Sequence, residues 1–358
     1  MTAQTDRSRY FDNAATSPLD PRVLQEMLPY LGEDFGNANS IHSFGRKAHA
    51  AVDLAREQVA ALIGAEDPSQ ITFTSGASES NNQVLAAFNR GSISPFEHSA
   101  VREPALRIGM TILSNDGLEV MAPEFPVELI SQMMVNNETG TIWSPADLAA
   151  LCDYLHSDIT QAVGKIPINL DEISFASFSA HKFYGPKGVG ALYSESLPPA
   201  PFILGGEQEN GFRGGTLNVP GIVGMGAAAK IAIDEQPSDL IHAKELRELL
   251  VSDLKGLSDW QINGGPNVSP FILSISFHGI EGESIVIELD RMGFAISSGA
   301  ACSSHSQEPS HVLSALNMSE SWLRGTVRVS FGRGCSLDST AVLSKSLRLA
   351  VEKLRSMN

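Results

Sequence analysis

Apolar residues recur at the spacing of one helix face over residues 46–64. They are Ala48, Ala51, Val52, Ala55, Val59, Leu62 and Ile63. This period predicts an amphipathic helix, which we expect to end at Gly64 because glycine tolerates the left-handed conformation of helix ends. A β-branched and aromatic strand is predicted at residues 71–74 and a second helix over residues 79–88, with a glycine turn between them.

Further strand-like segments follow along the chain, with helical stretches between several of them. They are residues 132–135, 174–178, 190–193, 272–277 and 326–331. Strands that alternate with helices indicate an α/β fold with a mostly parallel sheet. A helical stretch at 240–257 and a closing helix at 339–354 frame the last two strands. We therefore expect a large domain over 15–237 and a smaller α+β domain formed by 1–14 and 238–358.

Composition narrows the class of protein. The 358 residues carry 25 Lys and Arg against 41 Asp and Glu, a net charge of −16 that argues against nucleic acid or an anionic membrane as a partner. Residues 1–10 are polar, without the apolar core of a signal peptide, and the apolar stretch 222–233 is interrupted by Lys230. Only three cysteines are present, which argues against a disulfide-stapled secreted fold. We expect a cytoplasmic protein.

The segment after the first strand, residues 75–80, has the sequence Ser-Gly-Ala-Ser-Glu-Ser. A glycine turn from a strand into a helix presents backbone N–H groups and the positive end of the helix dipole, so it suits a phosphate. An ordinary capped helix start has the same composition. The motif alone leaves both interpretations open.

Two charged residues suggest cofactor chemistry. Lys182 follows a largely uncharged β segment. Surroundings of low dielectric constant favour the neutral amine, which can form a Schiff base. The alternative is a lysine that extends from the strand end into solvent. Asp158 could pair with the protonated ring nitrogen of pyridoxal phosphate, although an Asp after an apolar helix is commonly a turn or cap residue.

The three cysteines differ in context. Cys302 lies in the segment 297–304, whose small residues predict a mobile polar loop. A cysteine in such a loop is well placed to act as a nucleophilic thiolate. Cys152 lies in the apolar stretch 148–155 and is predicted to be inert core. For Cys335 the sequence leaves a structural and a reactive role open, and we favour the structural one.

Taken together, a series of motifs in fixed order resembles the cysteine desulfurases, pyridoxal phosphate enzymes of the class V aminotransferase group. The motifs are Phe-Asp-Asn-Ala-Ala-Thr at 11–16, Phe-Gly-Asn at 35–37, His-Ser-Phe-Gly at 42–45, Thr-Ser-Gly-Ala-Ser-Glu-Ser-Asn at 74–81, Glu-His at 97–98, Val-Asn-Asn-Glu-Thr-Gly at 135–140, Thr-Gln-Ala-Val-Gly-Lys at 160–165, Ser-Ala-His-Lys at 179–182, Arg-Gly-Gly-Thr at 213–216, the Cys302 loop, Arg328 and Gly-Arg at 332–333. The likeness spans nearly the whole chain and implies the fold of aspartate aminotransferase, pyridoxal phosphate fold type I.

The resemblance also implies site residues. Lys182 would bind the cofactor and later move the substrate Cα proton, and His98 would stack on the ring and transfer protons. Ring contacts would come from Asp158 at the nitrogen and Gln161 at the hydroxyl. The remaining cofactor contacts would be Gly76, Ala77, Ser78, Asn137, Ser179, His181 and, from a second subunit, Thr216. Asn13 and Arg328 would bind the substrate, with Arg328 holding its carboxylate.

The implied reaction converts L-cysteine to L-alanine and leaves a persulfide on Cys302, in a homodimer that passes sulfur to an acceptor or an iron–sulfur scaffold protein. The stretch 98–137 is shorter than in typical members, and 30 residues follow Arg328, so delivery to the usual scaffold is left open. The alternatives are a lyase or aminotransferase that does not use Cys302, and a sulfur or iron–sulfur carrier in which Cys302 and His305 are ligands, a set that is short of two further ligands.

Overall fold

The computed structural model describes residues 6–196, 198–299 and 310–357. Its helices are α1 (Pro21–Leu31), α2 (Ser43–Ile63), α3 (Ala77–Ala86), α4 (Ser99–Arg107), α5 (Val219–Asp253), α6 (Gly282–Arg291), α7 (His311–Ala315), α8 (Glu320–Leu323) and α9 (Leu337–Met357). Its strands are β1 (Ile71–Thr74), β2 (Gly91–Ile93), β3 (Thr111–Ile112), β4 (Asn115–Asp116), β5 (Glu119–Val120), β6 (Val127–Ser131), β7 (Cys152–Asp158), β8 (Phe175–Ser179), β9 (Gly190–Ser194), β10 (Trp260–Ile262), β11 (Ile272–Phe277), β12 (Ser297–Ser298) and β13 (Thr326–Ser330).

Within the described residues, the larger sheet has seven strands in the order β1-β9-β8-β7-β6-β2-β3. Strand β9 runs antiparallel to both of its neighbours, and the pairings from β8 to β3 are parallel. The carboxyl ends of β6, β7 and β8 therefore lie along one edge, the usual position of a ligand site in such sheets. The predicted α/β fold with a mostly parallel sheet is confirmed.

A second sheet, antiparallel throughout the described strands, has the order β10-β11-β13-β12. It packs with α6 and α9 around a separate apolar core that includes Phe11, Phe277 and Leu347. The first core lies between the large sheet and helices α2 and α5. A third apolar cluster is formed by residues of α3, α4, β2 and β6. The separate core of the small sheet fits the predicted division of the chain, whose boundary stays a prediction.

Several local predictions are confirmed. Helix α2 ends at Gly64, whose φ of 75° is the left-handed conformation expected there. Strand β1 covers the four predicted residues, and the other predicted strands after residue 170 are shifted by one residue at most. Gly226 allows α5 to lie against α2, because a Cβ there would be 2.6 Å from Cα of Ala55.

Three predictions of secondary structure are wrong. Residues 132–135 are not a strand, because β6 ends at Ser131 and the chain then forms part of the site wall. The apolar stretch before Asp158 is not a helix: a 3₁₀ segment, Pro145–Leu151, leads into β7. The helix predicted at 240–257 begins at Val219 and continues through Pro237. On either side of Pro237 it packs against other helices, namely α1, α2 and α9.

Among the residues that the structure describes, no helix combines the length and apolar character needed to cross a membrane.

Candidate active site

A cavity of about 320 Å³ lies at the carboxyl edge of the large sheet, a volume typical of a small-molecule site. Most of the predicted site residues line it. They are Ala77, Ser78, His98, Asn137, Asp158, Gln161, Ser179, His181, Lys182 and Arg328. A second cavity of about 380 Å³ shares Ala77, Ser78, Ser179 and His181 with the first and adds Gly76. Residues that are far apart in sequence therefore meet at one place.

Lys182 lies in a single 3₁₀ turn that follows β8 directly, so the strand end sets its position. Its half-buried Nζ donates to the carbonyl oxygens of Ala14, at 2.6 Å, and Ala15, at 2.9 Å. The N-terminal segment of the chain thus packs against the amine. These two backbone carbonyls hold the amine at the wall of the cavity, where a primary amine can react as a nucleophile once it is neutral.

Asp158 is the last residue of β7 and is 5% exposed. Its Oδ2 accepts a hydrogen bond from Asn81 Nδ2 at 2.9 Å, and its Oδ1 accepts one from the backbone N–H of Thr160 at 3.0 Å. Neutral donors hold this carboxylate, and within the described residues no ion pair involves it. Its negative charge is therefore available to a cation in the cavity.

His98 caps the start of α4, and its Nδ1 accepts a hydrogen bond from the N–H of Ala100 at 3.0 Å. The neutral ring consequently carries its proton on Nε2. Burial lowers the pKa of His98 below its usual value, with Asp158 opposing this effect and Lys182 adding to it. A neutral imidazole that lines the cavity can exchange a proton near neutral pH.

The start of α3 forms the polar end of the site. Gly76 provides no side-chain cap, and the N–H of Ala77 donates to Ser179 Oγ at 2.7 Å, which leaves the Ser179 hydroxyl proton for another acceptor. Backbone crowding explains the glycines here, because a Cβ on Gly190 would be 2.6 Å from Cα of Gly76. His181 adds an imidazole whose pKa burial lowers to about 4, with Nδ1 3.1 Å from Thr16 Oγ1. These donors suit an anionic group.

Arg328, on β13, forms the opposite wall and is 4% exposed. Its Nη1 donates to the carbonyl oxygen of Asn137 at 2.8 Å, and its Nη2 donates to Asp12 Oδ1 at 3.0 Å and Ser297 Oγ at 3.3 Å. The Nε of Arg328 and the Oδ1 of Asn137 are buried without a partner among the described residues. Buried polar atoms of this kind are usually satisfied by a ligand or water.

Sequence reasoning gave no role to three polar residues beneath the site: Asn81, Glu97 and His156. His156 is fully buried between Ser131 Oγ, at 2.8 Å, and Ser177 Oγ, at 3.0 Å, so it ties β7 to both neighbouring strands. Burial lowers the pKa of His156 to about 4 and raises that of Glu97 to about 8, the latter with help from Asp158. The available signals were the motif positions of Asn81 and Glu97 and, for His156, a polar residue inside strand β7.

Other predicted residues lie away from the cavity or outside the described ranges. Asn13 is buried, but it does not line the cavity, and its Nδ2 donates to the carbonyl oxygens of Tyr10 and Ser330. Thr216 is exposed and lines neither cavity in this chain. Cys302 and His305 lie outside the described residues. The substrate role of Asn13 and the cross-subunit role of Thr216 stay predictions.

The structure describes two cysteines, Cys152 and Cys335. Cys152 begins β7 and is half-buried rather than fully in the core, and burial raises its pKa. Cys335 is buried in the second core, and burial raises its pKa to about 11. Both thiols are poor nucleophiles at neutral pH.

The cavity chemistry fits pyridoxal phosphate. This cofactor requires an amine for its aldehyde, a carboxylate for its ring nitrogen and an anion site for its phosphate. Lys182, Asp158, which has no cationic partner in the described part of the chain, and the start of α3 offer these groups. The unpartnered Oδ1 of Asn137 and Nε of Arg328 leave further contacts for a bound group.

Comparisons with known proteins agree with this chemistry. A profile of the aminotransferase class-V family matches residues 9–338. The cysteine desulfurase IscS of Dictyoglomus turgidum is 41% identical over 98% of this chain and 96% of its own length, and that of Neisseria meningitidis serogroup C (strain 053442) is 37% identical over 98% and 93%. A solved NifS-like protein superposes with a TM-score of 0.87 at 34% identity, covering 96% of this chain and 99% of its own.

A second solved structure, that of SspA in complex with cysteine, superposes with a TM-score of 0.76 at 31% identity over 90% of this chain and 98% of its own. Family profile, relatives and fold point the same way. The chain therefore belongs to the class V aminotransferase family and, within it, to the pyridoxal phosphate-dependent cysteine desulfurases.

Proposed function

We propose that this protein converts L-cysteine to L-alanine and transfers the sulfur to Cys302 as a persulfide, which then supplies sulfur to an acceptor. The observation that carries the proposal is the meeting of Lys182, Asp158, His98 and Arg328 around one cavity of about 320 Å³. The cysteine bound in the SspA structure and the activity named for the IscS relatives agree with it.

Each wall of the cavity has a task in this reaction. Asp158 would hold a protonated ring nitrogen, and Gln161 would contact the ring hydroxyl. The bound cofactor supplies an electron sink for the substrate carbon. Lys182 moves the Cα proton, and His98 exchanges a proton through Nε2. Arg328 directs its guanidinium at the substrate carboxylate, and the spare Nε supports that role.

Sulfur transfer then involves a thiolate at Cys302. Its Sγ forms a bond to the substrate sulfur while the substrate Cβ–S bond breaks. The electron pair of the broken bond stays with the carbon part, which takes up a proton and leaves as alanine. Replacing Cys302 with serine therefore removes alanine formation and persulfide together, because no sulfur acceptor remains. Alanine formation at the wild-type rate in this variant would contradict the persulfide mechanism and favour a lyase that does not use Cys302.

The carrier alternative predicts a different composition. Iron that is stoichiometric in anaerobically purified protein and lost in the Cys302→Ser variant would support a cluster ligated by this loop. We expect cysteine-dependent alanine formation in iron-free protein instead. No cluster of three or more metal-ligating side chains occurs in the described ranges, which do not include Cys302.

The protein acts as a homodimer in this proposal, with Thr216 contacting the phosphate of the partner's site. Its exposure in the single chain and its absence from the cavity lining support such a role. A mixing experiment tests this directly. Lys182→Ala and Thr216→Asp chains are each inactive alone, but a mixed dimer has one intact site, so refolding them together restores about a quarter of the wild-type activity. No recovery on mixing would place Thr216 in its own subunit's site.

The acceptor is the remaining part of the proposal. Protein loaded with persulfide on Cys302 should retain a sulfur acceptor, such as an iron–sulfur scaffold protein, better than the Cys302→Ser variant does. Equal retention by both forms would mean that the persulfide does not take part in recognition.

A further inference from the structure

Lys165 is a buried lysine that the reaction above does not use. It is 5% exposed, and within the described residues it forms no ion pair. Its Nζ donates to Gln161 Oε1 at 2.9 Å. Burial, together with the nearby cations Lys182 and Arg328, lowers its pKa to about 7. Burying a lysine amine costs free energy of folding, so its presence here points to a role for its hydrogen bond.

The hydrogen bond of Lys165 is the first of a chain that ends at the reactive amine. Gln161 Nε2 donates to the carbonyl oxygen of Ala14 at 2.8 Å. That same oxygen accepts a hydrogen bond from Lys182 Nζ at 2.6 Å. The chain therefore runs from Lys165 through the Gln161 amide and the Ala14 carbonyl to Lys182.

This arrangement fixes which end of the Gln161 amide faces which partner. A glutamine amide can rotate by 180° and exchange its oxygen and nitrogen. If Gln161 rotated, its oxygen would face the Ala14 carbonyl and that hydrogen bond would be lost. Its NH₂ group would face the Lys165 amine, which accepts a hydrogen bond only when it is neutral. Only one orientation satisfies the chain. In that orientation the second N–H of Nε2 has no acceptor among the described residues and is left for a ligand in the cavity.

We infer that Lys165 is a positioning residue that locks the Gln161 amide with its N–H toward the cofactor and steadies the Ala14 carbonyl that holds Lys182. The inference rests on the proposed cofactor site. It assigns to Lys165 an effect on cofactor affinity and on the ionisation of the bound cofactor, both exerted through Gln161.

The first test uses full-length Lys165→Met, which keeps the length of the side chain but cannot donate, and Lys165→Arg, which can. Lys230→Met is the matched control, because Lys230 is exposed on α5. We expect Lys165→Met to bind pyridoxal phosphate about tenfold more weakly, the loss typical of one charge-assisted hydrogen bond, and to shift the pH midpoint of the cofactor's visible absorbance. Lys165→Arg recovers part of both effects, and Lys230→Met matches wild type.

A double-variant cycle separates positioning from a general packing role. In a Gln161→Ala background the amide is gone, so Lys165→Met should change the affinity and the absorbance midpoint by less than about twofold. An effect of full size in that background, or wild-type behaviour of the single Lys165→Met variant, would overturn the inference.

A third measurement does not need the cofactor. In protein labelled with ¹⁵N-glutamine, the Gln161 side-chain N–H groups should exchange with solvent more slowly in wild type than in Lys165→Met, because the lock holds the amide. Equal exchange rates would overturn the inference even if cofactor binds. Slow exchange in a wild-type protein that binds no cofactor would instead uphold the lock and contradict the proposed function.

Discussion

The two walls of the cavity hold their charged residues in opposite ways. On the large-sheet wall, Asp158 is held by neutral donors, Asn81 and the Thr160 N–H, and has no cationic partner in the described part of the chain. On the small-sheet wall, Arg328 is paired with Asp12 and also bound to the Asn137 carbonyl.

This difference separates two tasks. A carboxylate with its charge uncompensated attracts one permanent cation, such as a protonated cofactor ring. A guanidinium that already has a carboxylate partner binds a second carboxylate less tightly, so a substrate can enter and its product can leave. The large-sheet wall is thus suited to holding a cofactor and the small-sheet wall to a substrate that turns over.

The largest effect is expected at Lys182. Replacing it with alanine removes the amine that binds the cofactor and moves the Cα proton, so alanine formation should fall by about 10⁴-fold or more. The visible absorbance of the bound cofactor should disappear as well, while Lys230→Ala keeps both. Persistent absorbance would place the cofactor-binding amine at another lysine.

Asp158→Asn tests the large-sheet wall alone. The Asn81 amide can rotate to present its unpartnered Oδ1, so the hydrogen bonds survive and only the charge is lost. We expect alanine formation to drop by about 10³-fold, because the ring nitrogen loses its counter-charge. Steady-state kinetics with saturating cofactor measure this, and a loss below about tenfold would show that the charge of Asp158 is not needed.

Arg328→Lys tests the other wall. Lysine keeps the positive charge but cannot contact Asn137, Asp12 and a substrate carboxylate at once. KM for cysteine should rise by about 30-fold, roughly 2 kcal/mol of lost binding, with cofactor absorbance unchanged. If cofactor affinity falls instead, the division of tasks between the walls is wrong.

Glu97→Gln should change the pH dependence of stability rather than the reaction. Burial raises the pKa of Glu97 to about 8, so between about pH 4.5 and 8 the folded state holds a proton that the unfolded state releases. The free energy of unfolding of wild type should therefore fall, relative to the Gln variant, by about 3 to 4 kcal/mol between pH 5 and pH 8. Denaturant unfolding at pH 5 and pH 8 measures the difference, and parallel curves would contradict it.

The smallest effect is expected at Cys335, behind the small-sheet wall. Cys335→Ala should cost about 1 kcal/mol of stability through lost packing and leave persulfide formation unchanged. Chemical denaturation and alanine assays measure both. A loss of activity would show that the buried thiol takes part in sulfur transfer.

The regular elements were largely predictable because their signals are local. The helical period before Gly64 and the β-branched run at Ile71–Thr74 correspond to α2 and β1. The strand prediction at 132–135 was wrong because the apolar run continues past the end of β6 into the buried wall of the site. Burial, rather than pairing with a neighbouring strand, explains the composition of this segment. Pro237 does not interrupt α5, since tertiary packing on both sides outweighs one missing hydrogen bond.

By itself, the sequence determined the α/β class, the family and the chemical identity of the groups at the site, because motif order and residue type are properties of the chain. Only the tertiary structure shows which of these groups lie close together and how their charges, pKa values and hydrogen bonds are arranged. Three features depend on burial and on distances between residues that are remote in sequence. They are the lack of a cationic partner for Asp158 among the described residues, the raised pKa of Glu97 and the hydrogen-bonded chain from Lys165 to Lys182. Desolvation and hydrogen-bond geometry are set by packing, which no local pattern encodes.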